Sequence, residues 1–189
     1  MKFENGRNSL PFLRYLKDID QKARDLCFHN INMYFIMERI GYQDIPTGMF
    51  EKLMALETLA NESGLDMALL EMVRLRVAQL NKCAYCVDMH HKELQHLGES
   101  DLRLYSLGVW KETDYYTEQE RLVLEFTEKL TKLGEDGIPD ALFEGLATYF
   151  EKGEIAVLTL AIAQINTWTR LMRTFQFIPG RYRVNQVAV

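Results

Sequence analysis

The stretch EMVRLRVAQLNKCAYCVDMHH, residues 71–91, decides how the chain is read. An apolar run from Leu69 to Leu80 is interrupted by Asn81-Lys82, after which a second helical segment begins. Asparagine favours helix ends and starts, so the spacing predicts one helix to about Leu80 and another opening at Cys83. In that second helix Cys83 and Cys86 form a C-x-x-C pair, and His90 follows Cys86 by four residues. At about 100° per residue the three fall within an arc of roughly 60° on one helical face. Both cysteines then sit in the first turn, where unpaired amide N–H groups and the positive end of the dipole favour thiolate over thiol. Thiolate chemistry needs a group that takes the thiol proton and a second sulfur that captures the oxidised first one. This spacing supplies both.

Helical signals dominate outward from this segment. Phe12, Tyr15, Leu16, Ile19, Ala23, Leu26, Cys27, Asn30, Ile31 and Tyr34 trace a stripe of near-helical period. Pro46 opens a helix that Gly64 closes, and Asp66 caps the next. The cysteine helix ends near Leu97 with Gly98 beyond it, and Ser100 caps a short helix through Leu107. Thr117 and Glu120 form a capping box ahead of Leu122, Val123, Phe126, Leu130 and Leu133, with Gly134 as the stop. Pro139 opens another helix, residues 154–174 make the last long one, and Pro179-Gly180 breaks into a tail. The expected fold class is all-α, a helical bundle.

The bundle carries an internal echo. IPTGMFEKL at residues 45–53 resembles IPDALFEGL at 138–146, and LRVAQLNKC at 75–83 resembles LAIAQINTW at 160–168. Convergent amphipathic patterning accounts for the shared apolar positions, but less well for the shared Ile-Pro and Gln-x-Asn. A duplicated helix pair is the better reading, with Trp168 and Leu171 where the second copy would carry its cysteines.

At 189 residues with 48% hydrophobic content the chain fits one domain with a substantial core. A net charge of −5 gives no electrostatic footprint for nucleic acid. The start, MKFENGRNSL, has no apolar leader pattern, and no stretch reaches the roughly 18 uncharged apolar residues of a membrane span. Three cysteines suit a reducing compartment with a cycling thiol pair better than a disulfide scaffold. A cytoplasmic protein with no membrane partner is expected. There is no Walker loop, no G-x-G-x-x-G after a strand and no haem-attachment C-x-x-C-H, so no cofactor is expected. A zinc site using His90 or His91 is the competing reading of the cysteines. Structural zinc usually draws on two such pairs, and Cys27 stands far upstream on another amphipathic stretch.

From Glu71 to His90 the chain resembles the alkylhydroperoxidase D / carboxymuconolactone decarboxylase family. Its redox-active branch has a glutamate, a C-x-x-C twelve residues on, and a histidine four residues after the second cysteine. Glu71, Cys83, Cys86 and His90 match every interval. The resemblance runs from about Met37 to Tyr182 and includes LTLAIAQINTWTRL. It implies an AhpD-like bundle at residues 37–189; residues 1–36 lie outside the resemblance and are read from their stripe as an N-terminal helical extension. One position departs: Tyr85 stands where the best-known peroxidase members have histidine, and the CAYC form resembles the peroxidase-related subgroup. The decarboxylase branch lacks the cysteine pair, so the resemblance points away from decarboxylation.

Thiol-based peroxide reduction is therefore expected, with two other function classes beside it. Cys86 faces His90 at i,i+4 and is expected to attack the distal peroxide oxygen and become a sulfenic acid. Cys83 would condense with it, and an external dithiol would reset the pair. The resemblance implies the same order, with Glu71 and His90 as a proton relay and a thioredoxin-like or lipoyl protein as reductant. His91 and His96 are expected at the surface, Tyr85 in the site wall, Arg74 and Arg76 in salt bridges, and Trp168 in the core. A lyase using His90 as acid/base and a non-catalytic redox switch are the other function classes. The N-terminal stripe and the aromatic residues at 175–177 need a covering surface, so a homo-oligomer is expected.

Overall fold

The computed structural model describes residues 38–185; the N-terminal stripe, Cys27 and the expected 1–36 extension lie outside the described residues. Seven α-helices and no strand are found there: α1 Met49–Asn61, α2 Met67–Leu80, α3 Ala84–His96, α4 Asp101–Ser106, α5 Glu118–Thr131, α6 Asp140–Leu146 and α7 Lys152–Phe175. Short 3-10 turns occupy Tyr42–Asp44 and Leu107–Glu112.

The helix α2 is the axis of the bundle and packs against α3, α5 and α7. Its sequence MALLEMVRLRVAQL is apolar around most of its circumference, so neighbours cover it on every side. Leu69, Leu70, Met72, Val73, Leu75, Val77 and Ala78 are buried, and with them Glu71 and Arg74. Each buried large apolar side chain is worth roughly 1.5–3 kcal/mol, so this set outweighs the several kcal/mol that an ion costs on leaving water. The core can therefore tolerate a charged pair in its middle. Asp66 starts the helix by accepting from the Leu69 N–H at 3.0 Å.

The end of α2 sets the cysteine turn. Lys82 adopts a left-handed conformation, φ 54°. The Cys83 N–H reaches back to the Ala78 carbonyl at 3.0 Å and the Lys82 N–H to Gln79 at 3.1 Å, which is the Schellman arrangement. A non-glycine residue in this region costs roughly 1–2 kcal/mol. Cys83 thereby ends one helix and caps the next, so the chain reverses within three residues and α3 lies directly on α2.

The expected end of α3 and the expected starts of α4 and α5 match the capping residues. Gly98 follows α3 with φ 91°, the Ser100 hydroxyl accepts from Arg103 N–H, and Thr117 and Glu120 close their capping box. Three expectations need correction. The first helix begins at Met49 behind left-handed Gly48, not at Pro46. Leu133 is exposed, because α5 ends at Thr131 before the stripe can complete another turn. Phe175 and Phe177 need no partner surface from another subunit. Phe50 and Tyr42 pack on them within the chain, with Tyr85 against Phe177.

The 24-residue α7 is long and apolar enough to cross a membrane by length and composition. Nine of its residues, including Ile155, Leu158, Ile162 and Ile165, are buried, and it packs against α1, α2, α3 and α5. It is built as a core helix. The echoed segments of α2 and α7 also meet: Asn81 Nδ2 donates to Asn166 Oδ1 at 2.8 Å, and these are the matching asparagines of the two copies. Asn81 Nδ2 lies 2.9 Å from Thr169 Oγ1 as well, which ties the cysteine turn to the middle of α7.

Candidate active site

All four residues singled out from the sequence belong to the buried interface of α2 with α3. Cys83 is the N-cap of α3 and Cys86 lies in its first turn, both buried and free of disulfide bonds. Their sulfurs are 2.8 Å apart. One turn on, the His90 ring is 3% exposed, and its Nδ1 lies 2.7 Å from Glu71 Oε2. Glu71, itself 5% exposed, is therefore no solvated helix charge.

The second oxygen of Glu71 is also occupied. Arg74, 1% exposed, donates from Nη1 to Glu71 Oε1 at 2.5 Å. Its Nη2 donates to Asn61 Oδ1, the last residue of α1, at 2.6 Å. Burial alone would push the Glu71 carboxyl up, but the His90 and Arg74 contacts outweigh it and hold the group below the usual carboxylate range. An ionised carboxylate only accepts hydrogen bonds, so the facing His90 Nδ1 carries the proton. Whenever the ring is neutral, that leaves Nε2 as its basic nitrogen.

The two thiols titrate as a unit. The hydrogen bond with Cys86 is the largest influence on Cys83, and it pulls that thiol down to about 7 against the cost of burial. The Cys86 amide and the positive fields of His90 and Arg173 act in the same direction. Cys86 is pushed up by the same shared hydrogen bond, by burial and by the charge on Cys83. These influences favour charge on Cys83, while helical facing puts Cys86 opposite His90, and the two thiols share one proton. The i,i+4 count weighs His90 only, and Arg173 of α7 adds a positive field at Cys83. Alkylation of the reduced protein by iodoacetamide is expected to rise through about pH 7 rather than the 9.0 of a free thiol. Cys86→Ala removes the shared proton and should move that midpoint upward; an unmoved midpoint would refute the coupling.

Other candidates fall where their chemistry suggests. Tyr85 is half-buried in the site wall against Phe177, and burial beside Tyr42 pushes its phenol up, so it stays neutral. Arg76 pairs with Glu128 at 2.5 Å, and Trp168 packs on Phe50. His96 is exposed and His91 half-buried. Among the described residues no group of three or more His, Cys, Asp or Glu comes together to hold a metal. A groove of about 450 Å³ lies beside the cysteine turn, lined by Arg39, Asn81, Thr169, Arg170, Arg173 and Thr174. The sequence reading missed the C-terminal tail, which docks on α3: Gly180 N–H donates to Asp88, Lys92 to the Tyr182 carbonyl, and the Tyr182 hydroxyl to Glu93.

Comparison with known proteins finds relatives of this chain by sequence and by fold. The model of the carboxymuconolactone decarboxylase family matches residues 47–129. The uncharacterized protein YdfG of Bacillus subtilis (strain 168) is 33% identical over 135 residues, 71% of this chain and 91% of that protein. The uncharacterized protein YnjA of Escherichia coli (strain K12) is 31% identical over 109 residues, 57% of this chain and 59% of that one. Among solved structures, ATU0492 of Agrobacterium tumefaciens is a protein of unknown function grouped with the antioxidant defence protein AhpD. It superposes with a TM-score of 0.72 at 39% identity, covering 77% of this chain and all of its own. An uncharacterized peroxidase-related protein of Silicibacter sp. TM1040 shares the fold, with a TM-score of 0.66 at 19% identity over 89% of this chain and 88% of its own.

Proposed function

We propose that this chain, which belongs to the carboxymuconolactone decarboxylase family, reduces hydroperoxides through a cycle of the Cys83 and Cys86 thiols. The observation that carries the reading is the pair of free sulfurs 2.8 Å apart on the helix that also bears His90, itself bound to Glu71. A lyase has no use for two coupled thiols in its core.

The chemistry runs as follows. The Cys83 thiolate attacks the distal oxygen of the hydroperoxide, the O–O bond breaks, and the alkoxide leaves as an alcohol by taking a proton supplied through His90. Cys83 is then a sulfenic acid. The Cys86 sulfur displaces its hydroxyl, which departs with the thiol proton as water, and a disulfide forms. An external dithiol reduces that disulfide by exchange and is itself oxidised. Glu71 accepts the Nδ1 hydrogen bond throughout, so the imidazolium formed in proton transfer has a fixed counter-charge.

The test is steady-state reduction of an organic hydroperoxide with a supplied dithiol, followed by peptide mapping of the oxidised protein. Turnover is expected, with the disulfide between Cys83 and Cys86 and with Cys27 outside it. Stoichiometric oxidation without turnover would replace the enzyme by a redox switch, and activity surviving loss of both cysteines would assign the chemistry to His90 alone.

A further inference from the structure

Arg74 is the largest side chain that the described fold buries completely. A guanidinium stays charged at any working pH, and replacing a buried ion pair by apolar residues of similar volume is often neutral or stabilising. Stability therefore gives little reason to keep it. Its contacts give another. Glu71 and Arg74 are three residues apart on one face of α2, and the carboxylate divides its oxygens, Oε1 to Arg74 at 2.5 Å and Oε2 to His90 at 2.7 Å. From the opposite side Asn61, at the end of α1, holds Nη2 at 2.6 Å.

We propose that Arg74 is a positioning residue for the thiol chemistry: it keeps Glu71 ionised inside the core and turned so that Oε2 meets His90 Nδ1, with Asn61 pinning the guanidinium. The inference rests on the dithiol reading of the site. Without the cation only the His90 contact would stand against burial, which shifts Glu71 toward its protonated form, and a neutral carboxyl could donate as well as accept. The tautomer of His90 would then no longer be fixed, nor would Nε2 be held as the proton acceptor. The charged and titratable groups around Glu71 are few. Arg74 lies on its own helix and His90 on α3. The tail contributes Tyr182, whose phenol lies in the field of Glu71, Glu57 of α1 and Glu93 of α3.

The direct test follows the Glu71 carboxyl carbon by NMR through an acid titration, its signal assigned by its loss in Glu71→Gln. In Arg74→Met the midpoint is expected to move up by roughly 1–3 pH units, the size of an arginine's effect on a neighbouring carboxylate. The acid limb of turnover should move with it. A folded Arg74→Met that titrates Glu71 like the wild type would overturn the proposal. Should that variant not fold, Arg74→Lys carries the test. The charge remains but the two-sided fork is lost, so the Glu71 midpoint should stay near its wild-type position while kcat falls by roughly 10–100-fold. A wild-type kcat in Arg74→Lys would overturn the proposal. The titration needs no peroxide, so a moved midpoint in a chain without turnover would support the role of Arg74 toward Glu71 while refuting peroxide reduction.

Discussion

Cys83→Ser and Cys86→Ser are each expected to lower hydroperoxide turnover by on the order of 10³-fold or more, since the cycle needs both sulfurs. The two variants should nevertheless fail differently. In Cys86→Ser a hydroxyl replaces the thiol that donates to Cys83, and the amide of residue 86 and the fields of His90 and Arg173 remain, so a thiolate still forms at Cys83. It should react once with peroxide and remain as a sulfenic acid that a trapping reagent labels at residue 83. In Cys83→Ser the remaining thiol is freed of the Cys83 hydrogen bond and charge that push it up but keeps its burial, so it should still react more slowly and label more weakly than residue 83 does in Cys86→Ser. Strong labelling of Cys83→Ser with none in Cys86→Ser would restore the order expected from helical facing, with Cys86 attacking. Full turnover in either variant would refute the cycle itself.

The difference between those two orders shows what the linear sequence carries and what it does not. The corner at residues 81–83 was legible because its determinants are local: an asparagine and one break in an apolar run. The same holds for Asp66, Ser100 and the Thr117 and Glu120 box, whose hydrogen bonds span three residues. Charges on the site are different, because they arrive from distant elements. Arg173 follows Cys83 by ninety residues, and Asn61 precedes its partner Arg74 by thirteen. Arg74 was legible as a salt-bridging residue, but not as a buried one. The helix α2 is enclosed on nearly every side, so no polar face marks which of its charges go inward. The tail was read as a simple break after Pro179, yet Tyr182 bonds Glu93 across 89 positions. The echo between α2 and α7 was visible as pattern; that its two asparagines touch required the fold.

His90→Ala and Glu71→Gln are expected to slow turnover by the roughly 10²–10⁴-fold typical of a lost proton-transfer group, and their stabilities should separate the two roles. His90→Ala removes the basic nitrogen but leaves the Glu71 and Arg74 pair intact, so the core keeps its charge balance. Glu71→Gln keeps the shape and leaves a buried guanidinium without its counter-ion, an arrangement that costs about 3–5 kcal/mol. The pH dependence follows from the sign of the Glu71 shift. Its folded value lies below the ordinary 4.5, so the stabilisation is fully present above that pH and is lost as pH falls through the folded value. The melting deficit of Glu71→Gln should therefore be largest near neutrality and shrink in acid, where the wild-type carboxyl is itself protonated. His90→Ala also loses part of what lowers Glu71, so its deficit should shrink in acid too, but it should be the smaller of the two because Arg74 keeps its counter-ion. Thermal melts from neutral to acid pH, run beside kcat, read both effects. Wild-type turnover in His90→Ala would remove the imidazole from the chemistry, and a pH-independent deficit in Glu71→Gln would mean that Glu71 is not the ionised partner of Arg74.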